Sequence, residues 1–143
     1  MKPSSMPWVI VAVFCLLSCE RAGESRYVAT RGRDAISPSG KYVLHVVNDR
    51  AKEEQLSGRF PFYGFEIRLN QPGSPPEYAS TNSFIGTHRL VFTWDSRDRV
   101  WVYSGDVGPS YWERVAPSFW QQHRAAFELP NGVPELIRRY VED

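Results

Sequence analysis

Two short apolar segments, Leu90–Trp94 and Val100–Tyr103, flank the polar stretch Asp95-Ser96-Arg97-Asp98-Arg99. That stretch has a usual length for a β-hairpin turn. Alternation puts Leu90, Phe92 and Trp94 on one face, while Trp101 and Tyr103 share one face of the partner strand with Val100 and Val102 opposite. Both sides of the hairpin are therefore partly apolar, and neither side can be left to water. The chain must supply a second packed layer, a helix over the second face, or both.

The rest of the sequence offers material for each. Ser37-Pro38-Ser39-Gly40-Lys41 sets proline where a turn wants φ near −65° and glycine where positive φ is needed, just before the β-branched and aromatic run Tyr42–Val47. In Tyr63–Asn70, Phe65, Ile67 and Leu69 point one way and Glu66, Arg68 and Asn70 the other, the alternation of a half-buried strand. Asn48–Gly58 is polar and reads as an exposed loop, Gln71–Pro76 as a breaker, and Tyr78–Ser80 as a short edge strand. Val133, Leu136, Ile137 and Tyr140 recur at helical spacing behind Pro134, which predicts a short C-terminal helix. Ser118–Phe127 reads as a second short helix or an irregular segment. The expected fold is mainly β, a small antiparallel sheet or two-layer sandwich with a short C-terminal helix. Its globular domain is expected over 36–143, with 19–35 as a flexible tether, the start being read near Tyr27 or Ile36.

The N-terminal stretch has a different character. Lys2 is followed by the ten-residue apolar run Trp8–Leu17 and then Ser18, the three parts of an export signal. As a helix the run rises about 15 Å, half of what a membrane span needs. Leu16-Leu17-Ser18-Cys19 resembles a bacterial lipobox. The resemblance implies a signal peptide over 1–18, cleavage before Cys19, and lipidation of Cys19 with diacylglycerol and a further acyl chain such as palmitate. Two or three chains anchor a protein far more firmly than one, since each buried methylene contributes about 0.8 kcal/mol. The implied address is the cell envelope, periplasmic or extracytoplasmic, with the domain held to a membrane by its lipid. Glu20 follows the cysteine where an aspartate commonly retains Gram-negative lipoproteins in the inner membrane, which favours the outer membrane in such a cell.

Cys15 and Cys19 are the only cysteines. The domain therefore has no internal disulfide, thiolate metal site or cysteine nucleophile, and must be stable on its core alone. The 17 basic and 16 acidic residues of the full chain become balanced once Lys2 is removed, which argues against general nucleic-acid binding. Two further resemblances are local. Ser37–Val47 resembles the turn and strand that open blades in Trp-Asp and TolB-like propellers, although the chain has room for only about two four-stranded sheets, too few to close one. Asp98–Trp112 is similar to stretches of small bacterial envelope lipoproteins with no assigned activity.

A catalytic constellation would draw on Asp95, Asp98, Ser104, Asp106, Glu113, His88 and His123, yet no nucleophile elbow, metal-binding helix or phosphate loop unites them. Asp95, Asp98 and Asp106 read as turn residues whose carboxylates accept backbone N–H groups. His45, His88 and His123 lack metal-ligand spacing. No catalytic residue, cofactor or metal is implied. The aromatic cluster between Trp94 and Trp120 is the better functional feature, because rings offer contact area at little entropic cost. Most of these rings are expected to fill the core. A binding surface is expected at Trp101, Tyr103, Asp106, Tyr111 and Trp112, with Tyr111 and Trp112 exposed, facing an envelope protein or a glycan. The competing expectations are a small envelope hydrolase acting on glycan or peptide through acids near Asp106 and Glu113, and a purely structural or inhibitor-like protein.

Overall fold

The structure, a computed structural model, describes residues 25–87, 89–125 and 128–143. The expected signal peptide over 1–18, Cys19, His88 and Phe127 lie outside the described residues. Ten strands form two antiparallel sheets: β1 (Val28–Ala29), β2 (Ala35–Ile36), β3 (Tyr42–Asn48), β4 (Phe62–Leu69), β5 (Pro76–Ala79), β6 (Phe84–Ile85), β7 (Leu90–Trp94), β8 (Val100–Ser104), β9 (Gly108–Ala116) and β10 (Phe119–Arg124). The first sheet runs β1-β7-β8-β9-β10; the second runs β2-β3-β4-β5, with β6 also paired to β4. Two helices complete the described chain, α1 (Arg50–Gln55) and α2 (Glu135–Glu142).

The β7–β8 hairpin lies at the heart of the first sheet, and both expected forms of cover are present. Phe92, Trp94, Val100 and Val102 point inward and meet Leu44, Val46, Phe65 and Ile67 of the second sheet. On the opposite face, Val91 and Trp101 pack with Ile137 of α2, joined by Leu136 and Tyr140 at the predicted helical spacing. Pro134 caps the helix from just outside it, where its missing N–H costs nothing, and its carbonyl accepts from Arg138 at 3.1 Å.

Several expectations are corrected. The domain starts before Ile36: β1 pairs with β7, β2 pairs with β3, and Ala29 and Ala35 are 3% and 1% exposed. Two short pairings and two small buried side chains are enough to bind a polar segment that composition alone reads as tether. Residues 119–124 form a strand, because β10 turns back on β9 and pairs along its length. Within the expected loop at 48–58 the chain makes one exposed helix, started by Asp49, whose carboxylate accepts from Lys52 N at 3.1 Å. The turn before β3 is as expected, with Gly40 at φ 78°. The edge strand read at Tyr78–Ser80 is β5, shifted to Pro76–Ala79.

The two sheets are joined at both sides. On one, the chain crosses from β1 to β2. On the other, the Glu77 carboxylate of β5 accepts from Arg114 Nε at 2.6 Å, Ser118 N at 3.1 Å and Trp120 Nε1 at 3.3 Å. Burial alone would push this carboxyl up, but the three donors outweigh it and hold it below the ordinary glutamate range.

Candidate binding surface

The register of β8, β9 and β10 sets Trp101 opposite Tyr111, and Tyr111 opposite His123. All three project from the outer face of the first sheet. Their rings stack in a row, 4.8 Å between Trp101 and Tyr111 and 4.8 Å between Tyr111 and His123, the latter pair tilted by only 15°. The row passes from beneath α2, where Trp101 is fully buried, to the half-exposed His123 on the edge strand. His123 Nε2 lies 2.8 Å from Glu113 Oε1, and Gln121 stands opposite Glu113 in register. Arg99 lies over the Tyr111 ring at 4.9 Å.

The anchor of this row is Asp95. One carboxylate oxygen accepts from the backbone N–H of Arg97 at 2.8 Å and of Arg99 at 3.0 Å; the other accepts from Arg99 Nε at 2.6 Å and Trp101 Nε1 at 2.8 Å. With four donors and 3% exposure, this carboxylate is fully occupied in shaping the turn, as the sequence reading had it, and has no free lone pair for acid–base work. Arg99 also donates to the Asn131 carbonyl at 2.7 Å, which holds the segment before α2 against the sheet.

The five residues expected to form a binding surface do not share one. Trp101, Tyr103 and Tyr111 are on the outer face, but α2 covers Trp101, and the Tyr103 hydroxyl donates to the Tyr140 carbonyl at 3.2 Å. Trp112 is 1% exposed, not the exposed ring expected of it. Strand β9 begins at Gly108, so alternation turns Trp112 inward opposite Val100, where its Nε1 donates to the Tyr78 hydroxyl at 3.0 Å. Asp106 is exposed in the β8–β9 turn, and Glu113 lies halfway along β9, about 16 Å from Gly108 at some 3.3 Å per residue. Asp106, Glu113 and Trp112 thus do not line a common cleft, and the acids invoked for hydrolysis are not a pair.

What the chain does present is a part-polar, half-exposed sheet face carrying Tyr111, Glu113, Gln121 and His123 beside α2. The sequence reading sets Glu113 with Asp106 as acids for hydrolysis and leaves His123 isolated, whereas the structure brings Glu113 and His123 together. Their partnership needs the β9–β10 pairing, which no local motif announces. Among the described residues no group of three or more His, Cys, Asp or Glu side chains is placed to hold a metal ion, and no helix is long and apolar enough to cross a membrane. Comparison with known protein families, curated proteins and solved structures finds no match to this chain.

Proposed function

We propose that this chain is a lipid-anchored protein of the bacterial envelope that binds a partner protein through the outer face of its first sheet and catalyses no reaction. The anchor rests on Leu16-Leu17-Ser18-Cys19 at the end of its apolar run. The binding role rests on one observation: the Tyr111–His123 stack and its Glu113 partner form a half-exposed aromatic and charged patch on the outer face of the sheet. Open sheet faces with aromatic and charged groups suit protein contacts, whereas small ligands favour concave sites. A sugar would need a bare aromatic face to stack on, and Tyr111 has Trp101 stacked on one side and His123 on the other.

Both halves can be tested in the producing cell. Palmitate labelling should be lost in Cys19→Ala, and labelling that survives the change refutes the anchor. A photo-crosslinking amino acid at Gln121 should give one discrete protein adduct, lost when Glu113→Lys and His123→Ala are combined. If the labelled, correctly anchored protein gives no adduct, or if the adduct ignores those two changes, the binding face is wrong.

A further inference from the structure

The chain enters the sandwich at one end, and contacts show which loops surround that entrance. The Tyr27 carbonyl accepts from Trp94 N at 3.1 Å, and Ser39 N donates to Asp98 Oδ1 at 3.1 Å, which joins the β2–β3 turn to the β7–β8 turn. Asn70 N donates to the Lys41 carbonyl at 2.8 Å, and Ser118 at the β9–β10 tip donates to Glu77. Arg26 lines a surface hollow with Ser37, Pro38, Ser39 and Gly40.

This end carries exposed Arg26, Lys41 and Arg97, none of which is in an ion pair among the described residues. The acids near them are engaged. Asp95 is buried against Arg99, Glu77 is held by Arg114, Asp98 accepts from Ser39, and Asp34 lies 2.6 Å from His45. The same end has apolar side chains in water, Phe119 at 58% exposure, Val115 at 48% and Ile36 at 50%.

From this arrangement we infer that the entrance end seats on the headgroups of an anionic lipid surface, with Arg26, Lys41 and Arg97 on the phosphates and the β9–β10 tip dipping toward the acyl boundary. The inference rests on the lipid anchor proposed at Cys19. The six residue-to-residue steps from Cys19 to Ser25 reach at most about 20 Å, so an anchored chain keeps this end, and no other, beside the bilayer. Charge complementarity supplies the rest. Each basic side chain close to an anionic surface favours the docked orientation about fivefold, so three together favour it about a hundredfold.

The full mature lipoprotein is suited to the test, because acylation of Cys19 leaves it without a free thiol. Single fluorescent labels at Pro117→Cys, on the entrance end, and at Asp106→Cys, on the β8–β9 turn, are compared in vesicles carrying a headgroup quencher, with and without phosphatidylglycerol. The label at 117 should be quenched severalfold more strongly than that at 106 when phosphatidylglycerol is present. The difference should collapse in about 1 M salt, where the Debye length is about 3 Å, and in the combined Arg26→Gln, Lys41→Gln and Arg97→Gln variant. Equal quenching at both sites, or a difference indifferent to lipid charge and to the three arginine and lysine changes, overturns the docking while leaving the anchor in place. Intact mass on the same sample separates the two ideas: a chain without acyl mass on Cys19 overturns the anchor and the docking with it.

Discussion

Each of the four described tryptophans satisfies its indole N–H with an acceptor chosen by its place in the fold. Trp94 donates to the Ala35 carbonyl at 2.8 Å, Trp101 to the Asp95 carboxylate, Trp112 to the Tyr78 hydroxyl, and Trp120 to the Glu77 carboxylate. Large rings can thus fill a core that has no disulfide, without leaving a buried donor unmet. Trp112→Ala is expected to cost about 3–5 kcal/mol in urea unfolding, since it opens a cavity against Phe65 and frees the Tyr78 hydroxyl. Glu77 gives a second prediction. Its carboxyl titrates lower folded than unfolded, so its contribution is complete above the unfolded value of about 4.3 and is lost as pH falls through the folded one. Glu77→Gln should cost about 1–2 kcal/mol at neutral pH. Its stability curve should meet that of the parent chain in acid; a constant gap down to low pH would contradict this account.

Among the elements, those with strong local patterning were legible from sequence. The β7–β8 hairpin, the β3 turn with Gly40, the alternation in β4 and the stripe of α2 each depend on a period or a turn residue within a dozen positions. Strand β10 was not legible, because Phe119–Arg124 has no clean alternation and becomes a strand only by pairing with β9. The same gap hid the Tyr111, Glu113 and His123 patch and misdirected Trp112, since both follow from where β9 begins. Helix α2 is the element on which the outer face depends. Ile137 is fully buried on Trp101, and Ile137→Ala is expected to cost about 2–4 kcal/mol and to change the near-ultraviolet dichroism of Trp101. A near-silent change would mean that α2 is only loosely seated.

For the molecule as a whole, the N-terminal corner matters out of proportion to its length. β1 and β2 are two residues each, yet they complete one edge of both sheets and put Ala29, Ala35 and the Ala35 carbonyl into the core. A chain begun at Ile36 leaves Trp94 Nε1 without its acceptor and exposes the edges of β3 and β7. It should melt about 6–15 °C lower than one begun at Ser25, on the basis of about 2–3 kcal/mol for these losses. Equal melting temperatures would show that the corner is merely draped on the sandwich. The corner also decides how the protein yields to a pull. Tension arriving at Ser25 is met by the short β1–β7 pairing and the Trp94 N–H to Tyr27 carbonyl bond, which open one after another like the teeth of a zip. Under the anchor proposed at Cys19, a pull would therefore open this attachment first, with the β7, β8 and β9 slab staying whole while the corner peels off.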